Sequence, residues 1–355
     1  MTKKMNFGVY TEIQVNKGDN YKRRLDETMM LGRRADELGY DVFMALEHHF
    51  FQTFSTSANP LALFSALSQV TDNIRFRAMC HTLPIHNPMV LAEEIAMADL
   101  ICDGRLEAGV GRGHGWLHWF CGLDPMDSAV KYRETIEIMH KAWTEESFSY
   151  DGEYYQIPEV SAVPKPLQKG GPRIYLTGTS GKSFELAGEK GWGIVVGGPA
   201  PVEIFLDAVH KYLDACEKFG NEPDIGYVTC CYLAEDEKSA RKEAEADMLQ
   251  SYKNLAVPQI SIKTDEQKAQ LNAAGYQFYA AGALAAFDSI TYDEVIESKL
   301  AFVGTPEGFL ERIEEVKKLV DFGEISLMAD FAGLKPWQVN RTIELFADHC
   351  MPELS

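Results

Sequence analysis

Short apolar runs alternate along the chain with longer stretches in which apolar residues return every three or four positions. The short runs, at 6–10, 41–46, 74–80, 106–110, 174–177, 193–196, 226–233 and 324–330, read as strands. Helical periodicity covers 21–38, 60–70, 88–101, 129–144, 182–190, 201–219, 237–253 and 336–349. Strand followed by helix, again and again, predicts a closed parallel (β/α)8 TIM barrel of the α/β class. An open doubly wound sheet is the alternative, though such sheets usually contain fewer units. No linker rich in Pro, Gly or Ser and no internal repeat interrupts the pattern, so one barrel domain over 1–355 is expected.

Two segments exceed the bare barrel. Residues 147–166 read as a hairpin-like insertion with Asp151-Gly152 as its turn. Residues 255–300, rich in Ala, Gly and Tyr, are longer than ordinary connections. They read either as a lid over the site or as a solvent-exposed helical insertion without catalytic consequence.

Charge and composition narrow the function. A formal net charge of −19 opposes binding to nucleic acid or to anionic membrane surfaces. The start of the chain lacks the apolar run of a signal peptide, and no stretch approaches the length of a membrane span, so a cytoplasmic protein is expected. Seven cysteines without a Cys-x-x-Cys argue against a disulfide framework or a structural zinc site.

Barrel active sites lie at the C-terminal ends of the strands. The second strand ends in Glu47-His48-His49. Alternation lets only one of the two imidazoles face a central pocket, the other serving structure through a backbone hydrogen bond. A histidine titrating near neutrality suits general acid–base work. A metal reading could draw on Glu47, His48, His81 and His114 or His118, but no His-x-His pair or His-Glu-x-x-His helix is present. After the fourth strand, GVGRGHGW (109–116) sets Arg112 among four glycines, which would let a ligand approach the backbone. Arg112 is then either a phosphate partner or a surface arginine paired with a carboxylate. After the fifth strand, YLTGTSGKS (175–183) superficially resembles a nucleotide loop. A Walker A loop requires glycine where Leu176 stands, which excludes that assignment. A turn of Thr179, Ser180 and Ser183 at a helix N-terminus either seats a single phosphate or merely caps the helix. Neighbouring strands would bring it beside Arg112, which favours the phosphate. Phe51, Trp116, Trp119 and Phe120 suit a largely apolar substrate, or the core.

The segments ALEHHF (45–50), GRLEAGVGRG (104–113) and VGTP (303–306) resemble the bacterial luciferase-like flavin monooxygenases, and the similarity runs over about 5–352. The resemblance implies a barrel that binds reduced FMN and reacts it with O2. A 4a-hydroperoxyflavin would then transfer one oxygen atom to a small organic substrate. It implies that Arg112, Thr179, Ser180 and Ser183 hold the flavin phosphate, and that His48 is catalytic with Glu47 orienting the pocket. Met79 and Cys80 would lie under the flavin ring, joined by a cis peptide. A lid over 255–300 is implied too, as is a homodimer or a heterodimer with a related subunit, paired through helices near 61–67 and 88–101. The absence of Gly-x-Gly-x-x-Gly after the first strand agrees with a separate NAD(P)H:flavin reductase as partner. Gly111 stands where the light-emitting subunit carries a reactive cysteine, and Thr179 where it has a glutamate, which puts light emission in doubt. A deazaflavin-dependent oxidoreductase of the same superfamily, a metal-dependent barrel hydrolase and a non-catalytic partner subunit are the competing readings.

Overall fold

Eight parallel strands close into a barrel: β1 (Asn6–Thr11), β2 (Val42–Ala45), β3 (Arg75–Ala78), β4 (Leu106–Gly111), β5 (Arg173–Thr177), β6 (Gly193–Gly198), β7 (Ile225–Leu233) and β8 (Glu324–Met328). Each pairs with the next, and β8 returns to β1 with Asn6 opposite Glu324 and Val9 opposite Leu327. The structure is a computed structural model that describes residues 4–178 and 180–355. β2, β4, β7 and β8 are buried along their whole length, which is why they appear in the sequence as apolar runs.

The surrounding helices are α1 (Tyr21–Glu37), α2 (Pro60–Leu67), α3 (Pro88–Ile101), α4 (Gly115–Phe120), α5 (Ser128–Thr144), α6 (Gly181–Lys190), α7 (Leu206–Phe219) and α8 (Glu237–Ala256). After them come α9 (Asp265–Ala273), α10 (Gln277–Ala280), α11 (Tyr292–Glu297), α12 (Pro306–Lys317) and α13 (Pro336–Leu345). Local chemistry marks their starts. The Asn20, Asn59 and Asn87 side chains accept from backbone amides of the first turns of α1, α2 and α3, and proline follows at once in α2 and α3. Among the described residues no helix is long and apolar enough to cross a membrane.

The expected strands all form, with one internal break. The third stops at Ala78, the Met79–Cys80 peptide is cis as the resemblance implied, and pairing resumes at His81–Thr82 against Val110 and Gly111. In the hairpin, Asp151 is still paired, with Gln156, so the turn is 152–155 and not Asp151-Gly152. The reason lies on α5. The Glu134 carboxylate accepts from the amides of Glu153, Tyr154 and Tyr155 at 2.6, 3.1 and 2.9 Å, and the chain wraps that anion. Segment 255–300 holds α9, α10, α11 and short 3-10 turns. It leads into an extra strand, Ala301–Gly304, which pairs with the outer half of β7 at Cys230–Leu233.

Inside the barrel, near its N-terminal end, Arg77 is 1% exposed. It donates to both oxygens of Glu324 (2.7 and 2.8 Å) and through Nε to Glu107 (2.7 Å), with the Tyr175 ring 3.5 Å from its guanidinium carbon. Burial alone would raise the Glu107 carboxyl; the guanidinium groups of Arg77 and Arg75 hold it below its usual range.

Candidate active site

At the opposite, C-terminal end of the barrel, Glu47 organises a polar cluster just past β2. Its side chain is 3% exposed. One carboxylate oxygen lies 2.9 Å from His49 Nε2 and 2.8 Å from His86 Nε2, and the other accepts from the Thr82 amide at 2.8 Å. Burial would push this carboxyl up, but the bonds from His49 and His86 and the nearby imidazoles hold it far below its usual range. Reciprocally, burial opposes the charge on His86 while Glu47 raises its pKa above the ordinary value. The His49 ring thus meets a carboxylate and not the backbone partner expected of the second histidine.

His48 points the other way. Its amide donates to the Ser57 carbonyl (2.9 Å), and its ring packs against Phe54 and His114 at 4.4 and 4.6 Å between centroids. Burial, with His114 next, pushes its pKa well below 6.5, so the imidazole is neutral at neutral pH. His48 also lines an open cavity of about 360 Å³ with His49, Phe50, Phe51 and Gln52. Trp116 and Tyr279 extend the aromatic wall around His114, at 4.4 and 5.2 Å from its ring. Across from His48 stands Glu12, just beyond β1 and 4% exposed. Tyr10 donates to its Oε1 at 2.7 Å, and Oε2 lies 4.0 Å from His48 Nε2. Burial pushes the Glu12 carboxyl up to about 7 despite the bond from Tyr10.

The other side of the mouth lies over β4 and β5. Arg112 follows β4 and donates through Nε to the Tyr276 hydroxyl (3.2 Å) and through Nη2 to the Ala274 carbonyl (2.6 Å). Among the described residues its Nη1 has no hydrogen-bond partner. Ser180 is the N-cap of α6 without a side-chain cap bond, and Ser183 lies in the first turn of that helix. Burial raises the pKa of the Tyr132 phenol while Ser183 and the Arg112 charge hold it down, and β4 and β5, which lead to Arg112 and to the α6 start, are paired neighbours. Gly178, at φ +136°, faces open space. An uncapped helix start, a spare guanidinium nitrogen and a side-chain-free approach fit a phosphate. Thr179 lies outside the described residues.

The glycines of 109–115 have a different use from the one expected. A Cβ at Gly109 would overlap the Ala78 carbonyl, one at Gly111 the Cys80 sulfur, and one at Gly113 Thr82. One at Gly115 would strike Leu271 and Tyr276. They admit the bent end of β3 and the 255–300 segment, so protein atoms by themselves already require them. Segment 255–300 does reach the candidate site: Tyr276 binds Arg112 and stands 2.8 Å from His118 Nε2, Tyr279 packs on Trp116, and Gln270 accepts from Trp119 at 3.1 Å.

Comparison with known proteins gives this geometry its context. The sequence profile of the luciferase-like monooxygenases matches residues 5–321. The chain belongs to this family of flavin-dependent monooxygenases. It is 28% identical over 250 residues to the oxygenase component of a flavin-dependent trigonelline monooxygenase of Acinetobacter baylyi, covering 68% of each chain. A crystal structure of a monooxygenase from Streptomyces bottropensis superposes with a TM-score of 0.81 at 25% identity, over 99% of this chain and 100% of that one. The oxygenating constituent of 3,6-diketocamphane monooxygenase from Pseudomonas putida, a type II Baeyer–Villiger enzyme solved with FMN, gives 0.77 at 22% identity, over 99% and 98%.

In this luciferase-like monooxygenase the sequence-derived candidates fall into two groups on either side of one mouth. Glu47 and His48 stand with β2, Arg112, Ser180 and Ser183 with β4 and β5, and Met79 and Cys80 lie between, half-buried where β3 breaks. Burial pushes the Cys80 thiol up to about 12, so it is not a thiolate. Glu12, His86 and Tyr276 were not among the candidates. Glu12 reads as an ordinary alternating residue of a strand end, and the chain turns directly after it, at Ile13 with φ +48°. His86 lies 39 residues from the carboxylate it meets.

Proposed function

We propose that the protein is the oxygenase of a two-component system, taking reduced FMN from a separate NAD(P)H:flavin reductase. With O2 it would place one oxygen atom into a small organic substrate whose body is largely apolar. The observation that carries this reading is Arg112 after β4 beside the uncapped α6 start after the neighbouring β5, across the mouth from a neutral histidine set in an aromatic wall. The FMN bound by the Pseudomonas enzyme and the oxygenase-component role of the Acinetobacter relative support it.

When bound, the reduced flavin supplies the electrons that activate dioxygen. Arg112 and the hydroxyls and amides of Thr179, Ser180 and Ser183 would hold its phosphate, and Met79 and Cys80 would line the flavin's place. His48 Nε2, kept neutral by burial, accepts and returns a proton at the reacting side. Glu47 carries no proton of its own at neutral pH; it fixes the loop from which His48 projects. Phe54, His114, Trp116 and Tyr279 exclude water. We assign α2 and α3 to a homodimer or heterodimer interface, because α3 exposes Val90, Met97, Leu100 and Ile101 and Val70 is exposed beyond α2.

Anaerobic titration with photoreduced FMN, followed by oxygen uptake over a substrate panel with product masses, tests the reading. Binding of reduced FMN and a product one oxygen heavier are expected. Turnover with a deazaflavin coenzyme but none with FMN would overturn it.

A further inference from the structure

Two polar atoms beside the aromatic wall lack partners among the described residues: Glu12 Oε2 and His114 Nδ1. A buried carboxyl oxygen left bare is costly, and folded chains rarely leave one without use. Glu12 is held there deliberately by its surroundings. Ile13, β-branched and at φ +48°, has a backbone conformation that such residues avoid, and it persists because Thr11 Oγ1 accepts from its amide (3.1 Å) and its carbonyl accepts from the Thr56 amide and hydroxyl (3.1 and 3.0 Å). Tyr10 orients one carboxyl oxygen and leaves the other facing His48.

The spacing is informative. At 4.0 Å, Glu12 Oε2 and His48 Nε2 are too far apart to hydrogen-bond to each other. A single donor atom between them could lie at ordinary hydrogen-bond distance from both, a hydroxyl giving its one proton to either acceptor and an amino group one to each. β1 and β2 lie across the barrel from β5, so this gap is on the far side of the mouth from the phosphate seat, where a substrate would lie.

We propose that Glu12 and His48 form a two-acceptor seat for a hydrogen-bond donor on the substrate, so that the enzyme selects small apolar compounds bearing a hydroxyl or amino group. The inference rests on the substrate occupying the β1–β2 side, as the proposed function has it. Glu12 is thereby a specificity-determining residue. The titratable groups facing it are Tyr10, His48 and, from β7, Cys230. Burial keeps all three uncharged near neutrality, raising Tyr10 well above 10 and Cys230 to about 12 and lowering His48. Near pH 7 the seat therefore changes charge through Glu12.

The test is calorimetric titration of the full-length protein, with and without oxidised FMN, using 4-ethylphenol, 4-ethylaniline and the methyl isostere 4-ethyltoluene. At pH 8 the two donors should bind roughly 10-fold or more tighter than 4-ethyltoluene, the scale of a hydrogen bond to a charged group. In Glu12→Leu that ratio should fall to near unity while FMN affinity stays unchanged. Glu12→Gln keeps an acceptor and the Tyr10 contact; it should keep part of the preference and lose its pH dependence. Equal binding of donors and isostere by the natural protein, failure of both donors to bind, or a preference that survives Glu12→Leu would overturn the seat. A donor preference in a protein that binds no FMN would support the seat and sink the flavin reading, so the two can be told apart.

Discussion

The Arg112 guanidinium lies 4.0 Å over the ring of Tyr276, and its Nε donates to the Tyr276 hydroxyl at 3.2 Å. A residue of the 255–300 segment thus aims the cation proposed for the flavin phosphate. Arg112→Ala should weaken reduced-FMN binding by about 1.5–3 kcal/mol, the worth of a hydrogen bond to a charged group. Tyr276→Phe keeps the ring and removes only the hydroxyl, so a smaller loss of about 1 kcal/mol is expected. Anaerobic fluorescence titration of both variants reads the difference. Unchanged affinity in a folded Arg112→Ala protein would remove this residue from the phosphate site.

The two adjacent histidines should separate cleanly. His48→Ala is expected to leave flavin affinity near the natural value and slow oxygenation roughly 100- to 10,000-fold, the scale of lost general acid–base catalysis. His49→Ala removes one bond to Glu47 and should mainly lower thermal stability. Single-turnover rates after oxygen mixing decide between them; the large kinetic loss falling on His49 instead would reverse the assignment.

The Glu47–His86 pair makes a prediction about pH. His86 has a folded pKa above its unfolded value, so its pairing contributes stability that is fully present below the unfolded value of 6.5 and lost as pH rises through the raised one. Replacing Glu47 by Gln leaves burial as the main influence, and the His86 pKa should drop below 6.5. Histidine NMR titration measures it directly. Breaking a buried pair also costs about 3–5 kcal/mol, which denaturant unfolding would register.

Glu12 predicts the same direction for its own site, over a lower pH range. Its folded pKa is raised from 4.5 to about 7. Relative to the unfolded chain, stability is greatest below pH 4.5 and is lost as pH rises through the folded value. From the 1.36 kcal/mol carried by each pKa unit, the loss approaches about 3 kcal/mol. Glu12→Gln cannot ionise, so its stability relative to the natural protein should improve between pH 5 and pH 8. Melting curves across that range that run parallel for the two proteins would contradict this.

Assembly is the fifth expectation. Sedimentation at micromolar concentration should show a dimer, and Met97→Glu, which charges the exposed face of α3, should shift it to monomer. A natural protein that sediments only as a monomer would refute the assignment of that face.

Much of this was readable beforehand, for a physical reason. Barrel strands buried on both sides leave apolar runs such as Gly193–Gly198 and Ile225–Leu233, and asparagine followed by proline at Asn59 and Asn87 marks helix starts. What stayed hidden depends on distant atoms. Ala301–Gly304 is a short strand whose only strand partner among the described residues is the overhanging end of β7. The hairpin turn is placed by Glu134, from another element. Gly109 and Gly111 have their reason in Ala78 and Cys80 on the next strand, and Glu12 in the backbone of Ile13. Local pattern finds elements; it does not find which carboxylate is left with a bare oxygen.

Arg77 reaches from β3 across the barrel interior to Glu324 on β8 and to Glu107 on β4. That ionic plug closes one end of the cylinder, and its charges are matched so closely that an opening there would strand a buried ion. The proposed cofactor and substrate would then come and go at the opposite end, where the candidate site lies, and whichever left last would set the pace for the next round.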